Sequence, residues 1–111
     1  MKLAIASKGN SLDHLIDLQF GHCAFFVIYD KETNELQIRS NPFKEAAEQA
    51  GIRAVKWLAS EGVKSLVAGD FGPKIQPLLD QMRIQLIVIR KPETSIQQII
   101  NLLKQTHHAK A

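Results

Sequence analysis

The chain is poor in the residues that usually announce chemistry. It has a single cysteine, Cys23, among 111 residues, so no internal disulfide can form and a reducing, cytoplasmic setting is expected. One cysteine and four dispersed histidines do not supply the four ligands of a tetrahedral structural zinc site. No apolar run approaches the roughly 20 residues that a membrane span requires, and Met1–Ala6 is too short for a secretory leader. The 14 basic residues are spread from Lys2 to Lys110, with a net charge of only +3. No basic run interleaved with aromatics occurs, so a nucleic-acid partner is not expected. The mild positive excess suits a small anionic ligand better than a cation.

What is present describes one soluble domain. Apolar residues make up 45% of the chain and charged residues 23%, a balance that supports a packed core at this length. We read residues 1–106 as a single domain and 107–111 as a flexible tail. Lys2–Ala6 reads as a short buried strand followed by the turn Ser7-Lys8-Gly9-Asn10. Ser11–Leu18 has a weak helical spacing that fits an ordered loop equally well. Ala24–Tyr29 is a continuous apolar run rich in aromatic and β-branched residues, the mark of a strand buried on both faces. Leu36–Arg39 alternates like an edge strand, and the two runs form a hairpin.

From Glu45 to Glu61 the residues Ala47, Ala50, Ala54 and Leu58 recur at helical spacing, with Gly62 placed to end the helix. Lys64–Ala68 is the next strand, and Gly69-Asp70-Phe71-Gly72 turns the chain into a helix expected from Pro73. Leu86–Ile89 is a further strand. Thr94 and Gln97 have the spacing of a capping box, opening a last helix with the stripe Ile96, Ile99, Ile100 and Leu103. Alternating strands and helices in the second half require parallel strands, while the hairpin contributes one antiparallel strand. The expected fold is α/β: a five-stranded mixed sheet covered by helices on both faces, a three-layer α/β/α sandwich.

That topology brings three loops to one edge of the sheet, Ser7–Asn10, Gln19–Cys23 and Gly69–Gly72, where open α/β sheets bind ligands. The last loop feeds a helix start that favours an anion, and Lys74 adds a positive charge. Each feature also has a purely structural reading. Cys23 can be a small buried hydrophobe, His22 can serve a backbone carbonyl, and Gly69 and Gly72 can serve a tight turn. A catalytic Cys23–His22 pair is not expected, because adjacent side chains on an extended segment point apart.

Taken together, these residues resemble the dinitrogenase iron–molybdenum cofactor biosynthesis family of nitrogenase accessory factors. The resemblance rests on Ser7-Lys8-Gly9, on Phe20-Gly21-His22-Cys23 followed by Phe26, on Asn41-Pro42, on Gly51, on Gly62-Val63 and on Gly69-Asp70-Phe71-Gly72-Pro73, in that order. It implies a ribonuclease H-like topology. It also implies a non-enzymatic carrier of an anionic metal–sulfur cluster or precursor, of iron–molybdenum cofactor type or another metal–sulfur composition. Many members carry a histidine directly before the Phe-Gly pair, where this chain has Gln19, so metal ligation would lean on His22 and Cys23. The implied binding set is Ser7, Gly9, Gln19, Phe20, Gly21, His22, Cys23, Asn41, Gly69, Phe71, Gly72 and Lys74. Cluster-assembly proteins are the expected partners, with no nucleic acid or membrane, and the chain is expected to be a monomer or weak homodimer. Two other functions compete: a regulatory interaction module in cluster assembly, and a ribonuclease H-like nuclease. The nuclease needs carboxylates on the sheet, and the first strand has none.

Overall fold

The computed structural model describes the backbone of residues 1–109 and the side chains of residues 1–104. Its elements follow the order β1 (Lys2–Ser7), β2 (Phe25–Asp30), β3 (Leu36–Ser40), α1 (Ala50–Ser60), β4 (Val63–Ala68), α2 (Ile75–Met82), β5 (Gln85–Val88) and α3 (Ile96–Ala109). The five strands form one mixed sheet in the order β3-β2-β1-β4-β5. β1 pairs antiparallel with β2, Ala4 opposite Ile28, and parallel with β4, Ala4 opposite Leu66. β2 is therefore the one strand that runs against the rest, as expected of the hairpin.

Side chains of successive strand residues leave opposite faces of the sheet, and two hydrophobic clusters result. Ala4, Ala6, Phe26, Ile28, Leu66 and Ala68 share the first with Val55 and Leu58 of α1 and Ile75 and Leu79 of α2. Leu3, Ile5, Val27, Tyr29 and Val67 share the second with the full stripe Ile96, Ile99, Ile100 and Leu103 of α3. Burying one such aliphatic side chain is worth roughly 1.5–3 kcal/mol, so the helices are held by these stripes more than by propensity.

Several boundaries differ from the sequence reading, each for a local reason. α1 begins at Ala50, not Glu45, because Asn41 and Pro42 start a series of turns and Gln49 adopts a left-handed conformation, φ 58°. Ala47 is thus exposed outside the helix. Gly62 does end it, at φ 89°. α2 begins at Ile75, after the turn Gly72-Pro73-Lys74, and β5 lies one residue earlier than expected. The capping box is formed by Ser95 and Gln98, not Thr94 and Gln97: Ser95 N–H donates to Gln98 Oε1 at 2.8 Å, and Gln98 N–H donates to Ser95 Oγ at 3.1 Å.

Ser11–Leu18 is not a helix. Its carbonyls are engaged elsewhere: Ile96 N–H donates to His14 O and Gln97 N–H to Leu12 O, each at 3.0 Å, so this loop caps α3. The backbone of α3 continues to Ala109, through the first three residues of the segment read as a tail. Lys110 and Ala111 lie outside the described residues.

Candidate functional site

At the edge of the sheet where β1 and β4 end and β2 begins, the loop Asp17–Cys23 is laced to its neighbours by backbone bonds. Asp17 N–H donates to Ala6 O at 2.9 Å, Gly69 N–H to Leu18 O at 3.1 Å and Phe20 N–H to Asp70 O at 3.2 Å. The Phe20 ring is buried and lies 5.4 Å from Phe26 and 5.2 Å from Phe71, centroid to centroid. This aromatic anchor holds the loop down. Asn41, also buried, completes the fastening: its Nδ2 donates to Gly21 O at 3.0 Å and Cys23 O at 2.9 Å, while its Oδ1 accepts from Phe43 N–H at 2.9 Å.

The loop closes one side of a cleft of ≈ 350 Å³. Gly21 and His22 form that side, the first turn of α1 with Gln49 forms the second, and Phe71 to Ile75 form the third. The lining holds one lysine, one histidine and no carboxylate. Neither α1 nor α2 has a side-chain N-cap. At α2, Ile75 N–H donates to Gly72 O at 3.4 Å, Gly72 N–H donates to Asp70 Oδ1 at 3.1 Å, and Pro77 has no N–H, so α1 brings the more open positive end to the cleft. The start of α3, in contrast, is satisfied by loop carbonyls and by Ser95.

His22 is exposed, and its Nδ1 lies 2.9 Å from Lys44 O. A carbonyl can only accept, so Nδ1 carries the proton and Nε2 keeps its lone pair in the neutral ring. Gly21 packs backbone to backbone on α1: a Cβ there would lie 2.7 Å from Gly51 N and 3.0 Å from Gly51 Cα. Gly21→Ala must therefore displace either the loop or the helix start. It is expected to cost about 1–3 kcal/mol, measured as a lowered midpoint in urea unfolding.

Of the residues expected at the site, Gly21, His22, Phe71, Gly72 and Lys74 border the cleft together. Phe20 and Asn41 stand behind them as anchors, and Gln19 is exposed beside Asp70, joined to it by a parallel bridge. Gly69 is buried against Leu18, where a Cβ would meet its side chain at 2.6 Å. Ser7 and Gly9 close a turn on themselves, Ser7 Oγ donating to Gly9 O at 2.8 Å, and they do not border the cleft.

Cys23 is turned away as well. It is fully buried, its Sγ donates to Phe25 O at 3.3 Å, and it belongs to the first hydrophobic cluster. Burial, reinforced by the nearby Asp17 carboxylate, pushes its thiol up to about 12 from an ordinary 9.0. His22 and Cys23 are thus neighbours in sequence but do not share a surface. Among the described residues, no three or more His, Cys, Asp or Glu side chains gather where they could hold a metal ion.

The sequence reading missed the wall made by Gln49, Ala50, Gly51 and Ile52. Its signal was Gly51, which the family resemblance sets at the opening of the helix and which lies in the first turn of α1.

Comparison with known proteins places this geometry among relatives. The fold matches the apo form of the orange protein from Desulfovibrio gigas with a TM-score of 0.85 and 27% identity, covering 95% of this chain and 88% of that one. A putative NifB protein from Thermotoga matches with a TM-score of 0.78 and 24% identity, covering 94% and 87%. An uncharacterized protein of Methanocaldococcus jannaschii is 28% identical over 105 residues, 92% of this chain and 84% of its own length. The model of one family, described as dinitrogenase iron–molybdenum cofactor, matches residues 1–106. Nearly the whole chain lies inside that match, and the chain belongs to the dinitrogenase iron–molybdenum cofactor family.

Proposed function

We propose that this chain binds an anionic metal–sulfur cluster, or a precursor of one, in the cleft between Gly21-His22 and the starts of α1 and α2, and acts as a carrier with no catalytic step. The observation that carries this reading is the pairing of two helix N-termini lacking side-chain caps with a lining of His22 and Lys74 and no acid. Such a lining attracts negative charge. Family membership supports the same class of cargo. The finer architecture we assign is a three-layer α/β/α sandwich of ribonuclease H-like topology, supported by the two clusters on the two faces of the sheet.

The donor set suits a preassembled cluster better than one built on the protein. A cluster held by four cysteines is out of reach for a chain with one. Backbone N–H groups of the first turn of α1 can instead donate to bridging sulfides, and Lys74 offsets their charge. His22 can offer Nε2 to a metal while Lys44 O orients the ring, the usual way a second partner fixes a ligating histidine. The absence of carboxylates in the lining gives a two-metal nuclease nothing to work with there.

Anaerobic reconstitution with iron or tetrathiomolybdate and sulfide, followed by visible absorption and metal analysis, tests this reading. A stoichiometric chromophore is expected. His22→Ala is expected to weaken retention about tenfold or more, Lys74→Glu to weaken it in a salt-sensitive way, and Cys23→Ala to leave it intact. Binding that is absent, or unaltered by both cleft substitutions, would rule the assignment out.

A further inference from the structure

The sheet ends in two short edge strands, β5 with four residues and β3 with five, and a proline follows each, Pro92 and Pro42. β3 itself has no lysine, proline or register break between Leu36 and Ser40. Its one charge, Arg39, is drawn inward, paired with Glu61 and lying 5.2 Å from the centre of the Trp57 ring.

Hydrogen-bond alternation shows which groups β3 leaves open. Asn41 N–H donates to Ala24 O and Asp30 N–H donates to Glu35 O, each at 3.0 Å. The odd-numbered residues thus turn their backbone groups toward β2, and those of Leu36, Ile38 and Ser40 face outward. The Leu36 and Ile38 side chains are 41% and 39% exposed, opposite Tyr29 and Val27 on one face of the sheet.

The strand is also complementary to itself. Glu35-Leu36-Gln37-Ile38-Arg39 reads acid, apolar, amide, apolar, base. Laid antiparallel on a copy of itself about Gln37, it sets Glu35 opposite Arg39, Leu36 opposite Ile38 and Gln37 opposite Gln37. In this register the outward groups of Leu36 and Ile38 meet as hydrogen-bonded pairs, four bonds across the two-fold axis. Glu35, whose carboxylate has no ion-pair partner within its own chain among the described residues, is set opposite Arg39 of the other copy, whose guanidinium already holds Glu61 through Nη1 and has further N–H donors to offer. We propose that the chain forms a homodimer through β3, with a two-fold axis at Gln37 that continues the sheet from five strands to ten. The contact is short, so the dimer is concentration-dependent.

Sedimentation equilibrium and oxidative cross-linking of the intact chain test both the dimer and its register. A monomer–dimer equilibrium is expected for the native sequence. Ile38→Lys and Glu35→Arg should each raise the dissociation constant about tenfold, with the fold checked by circular dichroism. Mild oxidation should link Gln37→Cys, which faces itself, and should not link Ile38→Cys, which faces Leu36. Linkage of Ile38→Cys in place of Gln37→Cys overturns the register. A monomer at every accessible concentration, or a dimer indifferent to both charge substitutions, overturns the proposal.

Discussion

Asn41→Asp is expected to destabilise the protein by at least about 3 kcal/mol at neutral pH, the scale of an uncompensated buried charge. The native amide donates to two carbonyls, Gly21 O and Cys23 O. A carboxylate cannot donate to either and would sit beside both oxygens without water. Asn41→Ala should cost less, about 1–3 kcal/mol, because it leaves unpaired partners but no charge. The two variants should also differ in pH dependence. Burial beside acceptors raises a carboxyl pKa, so stability of the aspartate variant is fully present only below the ordinary carboxyl range and is lost as pH rises through the raised value. Urea unfolding of both variants at acid and neutral pH checks this. An aspartate variant as stable as the alanine variant at neutral pH would show that the site accommodates the charge, and an alanine variant as stable as the native chain would show that the amide donates nothing of consequence. The result bears on function, since the same side chain holds the Gly21-His22 wall of the cleft.

The second large effect concerns Cys23 and appears only in alkali. Its thiol is held near 12 in the folded chain, first by burial and then by Asp17, against an ordinary 9.0 when unfolded. Below about pH 9 both states keep the proton and stability is unaffected. Between about 9 and 12 the unfolded chain ionises while the folded chain does not, and stability falls by about 1.4 kcal/mol per pH unit. Cys23→Ala removes this slope, so the difference between native and variant unfolding curves should narrow steadily above pH 9. Parallel curves would show that the thiol is not held neutral. At neutral pH the same enclosure keeps the thiol from a metal, which is bound as thiolate, and it should leave Cys23 slow to alkylate until the chain unfolds.

The elements with strong periodicity could be read directly. The stripe Ile96, Ile99, Ile100, Leu103 and the run Ala24–Tyr29 needed no tertiary information, because the first repeats at helical spacing and the second is a short continuous run of aromatic and β-branched residues. The start of α1 could not be read, since Ala47 extends the same stripe as Ala50 and only the packing of the segment after Asn41 excludes it. The α3 cap was ambiguous for a related reason. Thr94-Gln97 and Ser95-Gln98 offer the same chemistry one residue apart, and the choice falls to Thr94 O, which accepts from Ile16 N–H at 2.8 Å.

By itself the sequence determined the sheet with its single reversed strand, the edge where loops meet, and the glycines and His22 that gather there. Connectivity alone dictates which strand ends share an edge. Only the tertiary structure decided which side chains face the cleft. Cys23 follows His22 in the chain, yet Asn41, Phe20 and the start of α1 fix the loop so that the imidazole borders solvent and the thiol enters the core. Adjacency in sequence says which groups are near one another, and packing decides which of them a ligand can reach.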